Sequence, residues 1–225
     1  MHVVLVNSPG SGRAPHWSKK LAGAFSRLAV ARGATVRWLA AMHPHEESPL
    51  VDPGVEVLPV RRRRSLMSPR AAAAKADAEM ELALTEALRA EPRSVVVHVG
   101  VGGQGSPNPL WLADRLGSAT FAAARGPELV CNRSELLDRH NMPCRFSADS
   151  EQCRWCGAPS MSATPRSVSL QNREDLLVAA LQTCAAILVP GEEDVDLLQA
   201  VGVAAKRVSV GASAAELADR VLSAR

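Results

Sequence analysis

His2-Val3-Val4-Leu5-Val6-Asn7-Ser8-Pro9-Gly10-Ser11-Gly12-Arg13 is a β-branched run that breaks into small residues. Trp17, Leu21, Phe25 and Leu28 then recur at intervals of three or four, and Gly33 supplies a stop. Residues 3–6 suit a strand buried on both faces, and the segment after the glycines suits a helix with one apolar stripe. A strand that feeds a helix through a glycine-rich turn is the opening unit of a parallel α/β sheet.

The unit recurs along the chain. Further strand-like runs at 34–39, 55–60, 94–99, 118–122, 186–189 and 207–210 alternate with helical spacing. Met80, Leu84 and Leu88 mark one helix face before Pro92, and Leu177, Leu181 and Cys184 mark another before the run at 186. This order predicts an α/β fold: a single Rossmann-like domain with a mainly parallel seven-stranded sheet flanked by helices. Cys184 falls on an apolar helix face and is expected in the core, not among metal ligands. After the last strand, Ala214, Leu217, Ala218, Val221 and Leu222 keep helical spacing and predict a final amphipathic helix. No internal repeat is seen.

Composition narrows the class of function. The 225 residues, 47% of them hydrophobic, can bury a substantial core. Lys and Arg number 26 against 23 Asp and Glu, a mildly basic balance that argues against general coating of nucleic acid. With no tyrosine and three phenylalanines there are few platforms for stacking single-stranded bases, so no nucleic-acid partner is expected. The amino end has no charged segment ahead of an apolar stretch, and no apolar run approaches the ~18 residues of a membrane span. The expectation is a soluble cytoplasmic protein without a transmembrane segment.

From Cys131 to about residue 170 the alternation stops, and Pro, Ser, Asn and charged residues dominate. A stretch of that length needs a reason to be ordered. Cys131, Cys144, Cys153 and Cys156 offer one, because they close in a Cys-Arg-Trp-Cys knuckle. Two thiolates two residues apart can grip one Zn²⁺ from a tight turn, and two more complete a closed shell with no position left for water. Structural Zn²⁺ is therefore expected in an insert at 131–170. An iron–sulfur cluster, disulfides and reduced thiols remain alternatives, and a reducing compartment disfavours the disulfides.

Two glycine-rich turns are candidate ligand contacts. Gly10 and Gly12 would let the backbone approach an anion or a sugar hydroxyl at the start of the first helix, although a plain strand-to-helix turn has the same composition. The dinucleotide fingerprint fails because Pro15 stands where a third glycine belongs and no acid ends the second strand at Trp38-Leu39-Ala40. A Walker loop fails because no Gly-Lys-Ser or Gly-Lys-Thr follows. The second turn is His98-Val99-Gly100-Val101-Gly102-Gly103-Gln104-Gly105. His98 there can act as a polar contact or a base, while a histidine inside a valine-rich strand is more often a core residue. Arg61 to Arg64 can hold phosphate or form a solvated loop, and the absence of interleaved aromatics favours the loop. Glu192-Glu193 sit where carboxylates stabilise a helix start. No nucleophile elbow or zinc-protease helix occurs.

Three segments resemble the amino-terminal, acceptor-side domain of glycosyltransferase family 4, retaining enzymes with two Rossmann-like halves. They are the Gly10-Ser11-Gly12 turn, the strand Val95-Val96-Val97-His98-Val99, and the series Cys131, Leu136-Leu137-Asp138, Cys144, Cys153 and Cys156 followed by Asn172-Arg173 and Ile187-Leu188-Val189-Pro190. The likeness runs over about residues 1–211, and the cysteine insert is its distinctive part. There are departures. Arg125-Gly126 stand where the family commonly has a His-Asp pair, Gly191 where Ser follows Val-Pro, and Ala185 where an Asp precedes that strand. The half that binds the nucleotide-sugar donor in this family has no counterpart in these 225 residues.

The resemblance implies a domain at 1–211 carrying the metal-binding insert, with 212–225 as a closing helix that crosses back onto the same domain. It further implies a stand-alone acceptor-side domain that takes a small-molecule or sugar-containing acceptor in a crevice lined by Gly10, Gly12, His98, Gly102 and Arg125. Glycosyl transfer would then need a donor-binding partner subunit. The alternative is a non-catalytic binding or scaffold protein that keeps the fold and a structural zinc site. An iron–sulfur redox protein is a third class.

Overall fold

The central strands read as near-continuous apolar runs because both of their faces are covered. In β1 (His2–Asn7) every position from Val3 to Asn7 is buried. The chain continues through α1 (His16–Ala31), β2 (Thr35–Met42), β3 (Val55–Arg61), α2 (Ala78–Ala90), β4 (Val95–Val101), α3 (Asn108–Arg115), β5 (Thr120–Ala124) and α4 (Gly126–Val130). A helical stretch at 175–181, here α5, leads to β6 (Ala186–Val189), α6 (Glu192–Ala200), a 3₁₀ turn at Ala205–Arg207, β7 (Val208–Val210) and α7 (Ala214–Ser223). This computed structural model describes residues 1–7, 16–42, 48–49, 51–61, 77–101, 106–130, 175–211 and 213–224.

The strands form one seven-stranded sheet in the order β3-β2-β1-β4-β5-β6-β7, and every described pairing is parallel. All seven expected strands are present, with shifts at several ends: β2 runs on to Met42 and β5 lies at Thr120–Ala124, two residues beyond the expected end. β1 reaches Asn7, and β4 runs on to Val101, so His98-Val99-Gly100-Val101 belong to the strand and not to the turn after it. The reason is a bulge. Gly100 takes φ +80°, and the pairing of β4 with β5 shifts register between Val99 and Val101. Glycine accepts that left-handed conformation without a steric penalty. The shift moves Val101 off the face of Val95, Val97 and Val99 and into the core on the other side.

α1 and α7 cover one face. Leu21, Phe25, Leu217, Ala218 and Val221 pack there with Val3, Leu5, Trp38 and Val97. The exposed rim of this helix pair carries an ion pair between Arg32 and Asp219. On the opposite face Met80, Leu84 and Leu88 of α2 meet Val4, Val6, Leu39 and Val96. Farther along that face Leu110, Leu177, Leu181, Cys184 and Leu198 meet Ala122, Ile187 and Val189. Cys184 is a free, fully buried thiol, and burial pushes its pKa up to about 12. Pro59 lies in the edge strand β3, where its missing N–H interrupts no ladder. Among the described residues no helix is long and apolar enough to cross a membrane.

Candidate functional site

Strand order reverses between β1 and β4: β2 and β3 lie to one side, and β5, β6 and β7 to the other. In open parallel sheets the ligand crevice lies outside the carboxyl ends of the strands at such a switch point. Asn7 is the last residue of β1, level with Ala40 of β2 and Val99 of β4. It follows Val3 and Leu5 on the face covered by α1, since side chains alternate along a strand.

Asn7 is fully buried, and one half of its amide is satisfied. The indole Nε1–H of Trp38 donates to Asn7 Oδ1 at 2.8 Å. An indole N–H can only donate, so this contact sets which end of the amide faces Trp38. The nitrogen end is left over. Among the described residues Asn7 Nδ2 has no hydrogen-bond partner. A buried amide with open donors costs about 1–3 kcal/mol, and native proteins carry such a group rarely and for a reason.

Arg125 follows β5 directly, at the same edge of the sheet. Alternation from Phe121 and Ala123 places it on the α1 face, and its guanidinium lies over the ring of Trp17 at 5.9 Å from the centroid. The ring quadrupole attracts the cation without satisfying the N–H groups as a hydrogen-bond acceptor oxygen would. Among the described residues Arg125 has no carboxylate partner.

The neighbouring strand ends are braced by one carboxylate. The Gly126 N–H donates to Asp194 Oδ1 at 2.6 Å, and the Gly191 N–H donates to Asp194 Oδ2 at 3.3 Å. Asp194, in the first turn of α6, thus ties the exit of β5 to the exit of β6. A Cβ at Gly126 would lie 2.7 Å from Leu197 Cδ1 and 3.0 Å from Asp194 Oδ1, so a larger residue there would force both side chains to shift.

Of the residues expected to line a crevice, Arg125 stands at the carboxyl edge on the α1 face. His98 does not share that position. It pairs with Val6 and Ala122 inside β4, buried on the opposite face three residues before the strand ends. Gly10, Gly12 and Gly102, and with them Cys131, Cys144, Cys153 and Cys156, lie outside the described residues. Among the described residues no group of three or more His, Cys, Asp and Glu is placed to hold a metal ion. Sequence reasoning did not single out Asn7, Trp17, Trp38 or Asp194 as site residues. The available signal was Asn7 itself, a strand-poor residue type closing a valine-rich strand.

No protein-family model matches the chain, and no curated protein is significantly similar to it in sequence. Solved structures do match in fold. The O. sativa protein Os79 T291V, solved in complex with UDP, is 15% identical with a TM-score of 0.51, over 92% of this chain and 51% of that one. UDP-GlcNAc 2-epimerase from Methanocaldococcus jannaschii is 13% identical with a TM-score of 0.44, over 93% and 45%. The lipopolysaccharide outer core galactosyltransferase WaaB is 9% identical with a TM-score of 0.43, over 93% and 45%. The chain spans about half the length of the solved structures it matches. Of these three, the Os79 T291V match has a TM-score above one half, and at 15% identity it speaks to the fold alone. The fold is therefore Rossmann-type, and it matches the fold of Os79 over about half of that chain.

Proposed function

We propose that this chain is a stand-alone, acceptor-side domain of the glycosyltransferase family 4 kind, which holds a small sugar-containing acceptor and receives its donor from a partner subunit. The observation that carries the reading is the unfilled donor end of Asn7, buried at the carboxyl edge of the switch point. Polar groups open at that edge are what a ligand crevice offers. The test is calorimetry of the purified protein with nucleotide sugars, alone and with a co-purifying donor-domain chain. Transfer to an acceptor only in the two-chain mixture is expected. Tight nucleotide-sugar binding by the lone chain contradicts the reading.

A second reading is favoured by His98, which is buried within β4, and by Arg125-Gly126 at the place of the family's His-Asp pair. On this view the domain is a binding or scaffold protein that retains the fold. A constant protein partner in pull-downs, with no glycosyl transfer in that partner's presence, would select it.

The insert at 131–170 is proposed to hold one structural Zn²⁺ through Cys131, Cys144, Cys153 and Cys156. Four soft thiolates suit zinc. Cys184 does not compete for it, because burial keeps its thiol protonated up to about pH 12. Bound zinc would cross-link a segment poor in apolar residues and supply folding energy there.

A further inference from the structure

We infer that the carboxyl edge of β1 and β5 on the α1 face is an oxyanion site, in which Arg125 and Asn7 together select a ligand bearing a phosphate or carboxylate over a neutral sugar. The inference rests on the acceptor-side reading and makes it more specific by naming the chemical class of the ligand. Two donor-bearing side chains lie on one face of one sheet edge, and the Asn7 amide is buried there with its nitrogen unpaired. Asn7 offers Nδ2, because Trp38 occupies Oδ1. Arg125 offers guanidinium N–H groups, and the Trp17 ring beneath it holds the cation near this edge.

Both groups present donors: a guanidinium has no acceptor, and the unpaired end of the Asn7 amide is its NH₂, while Oδ1 already holds the Trp38 indole. What they share is a demand for oxygen lone pairs. A neutral hydroxyl meets that demand weakly. An oxyanion meets it with charge-assisted hydrogen bonds, which are shorter and roughly twice as strong.

The spacing suits a small ligand. Asn7 is level with Val99, and Val99 is level with Ala123, two residues before Arg125. Two strand spacings across the sheet and two residues along it put the backbones of Asn7 and Arg125 about 12 Å apart. Arg125 closes part of that gap, because the ring it stacks on belongs to α1, which packs against β1, β2 and β4. The burial of Asn7 means that an oxygen reaching Nδ2 is desolvated, which strengthens the bond.

The experiment is calorimetric titration of the full chain with glucose, glucose 6-phosphate, glucuronate, inorganic phosphate and UDP. Glucose 6-phosphate or glucuronate should bind at least about tenfold more tightly than glucose, and added salt should weaken binding. Preference between those two tells phosphate from carboxylate. Arg125→Gln should erase the preference, Arg125→Lys should restore part of it, and Asn7→Asp should weaken anion binding by placing a charge where a donor stood. Thermal melts of each variant separate lost binding from lost folding. Equal binding of glucose and the anions, binding of none of them at millimolar concentration, or an unchanged preference in a folded Arg125→Gln protein overturns the inference. Preference for UDP alone also overturns it, because the anion would then belong to a donor. Failure here leaves the two-chain transfer reading standing, and absence of transfer with the partner leaves a positive anion titration standing.

Discussion

Trp38 Nε1 and Asn7 Oδ1 are joined by a buried hydrogen bond of 2.8 Å between residues on adjacent parallel strands. Trp38 is level with Leu5, so the bond runs diagonally along the shared face and over the end of β1. Trp38→Phe removes the donor and leaves Oδ1 as open as Nδ2. The expected loss is about 1–3 kcal/mol in urea unfolding. Asn7→Leu alone strands the indole N–H and should also destabilise. The double variant removes both partners and should recover much of the loss, a coupling that a double-mutant cycle measures directly. Additive losses would show that the bond does not link the two sites.

The Asp194 brace makes a second expectation. Gly126→Ala places a methyl 2.7 Å from Leu197 Cδ1 and 3.0 Å from Asp194 Oδ1, and overpacking of this kind costs about 1–3 kcal/mol. Asp194→Ala opens two backbone N–H groups at once. Both variants should lower the unfolding midpoint, and Asp194→Asn, which keeps one acceptor oxygen, should fall between wild type and Asp194→Ala. A wild-type midpoint for Gly126→Ala would contradict the packing described for that turn.

Cys184 predicts a pH dependence whose sign follows from its shift. Burial raises its pKa from 9.0 to about 12, so the unfolded chain releases this proton before the folded one does. The stability it contributes is complete below pH 9 and is lost as pH rises towards 12, by about 1 kcal/mol per pH unit at most. Urea midpoints of wild type and Cys184→Ala should therefore converge over that window. Iodoacetamide followed by peptide mass spectrometry should leave Cys184 unlabelled in folded protein at pH 8 and label it fully in urea. Rapid native labelling would refute its burial.

Metal content tests the cysteine insert. Elemental analysis should return about one zinc per chain and colourless protein, as a closed four-thiolate site predicts. Chelation should release the zinc and make the insert the first point of proteolysis, with cleavages mapping between 131 and 170. Cys153→Ser should abolish zinc retention, and Cys184→Ala should not. Brown protein absorbing near 400 nm would point to iron–sulfur instead, on the order expected for sulfur-to-iron charge transfer.

Much of the architecture is written in local periodicity. Runs such as Val3–Val6 and Val95–Val99 announce strands covered on both faces, and their alternation with helical stripes announces a parallel sheet. These patterns extend over a few residues, so they survive being read one segment at a time. Strand ends are less legible. Gly100 looks like turn punctuation, yet it serves as a bulge inside β4, because the apolar Val101 beyond it still gains burial.

The site needed contacts that no local pattern encodes. Trp38 reaches Asn7 from 31 positions away because β2 pairs beside β1 in one register, and Arg125 reaches Trp17 because α1 lies across the face onto which β5 turns that side chain. Periodicity states which face a residue occupies along its own strand. It is silent on which strand lies next door and on where the order reverses. Those follow from how the crossovers pack, and they turn an unremarked asparagine at a strand end into a buried amide with its donors open.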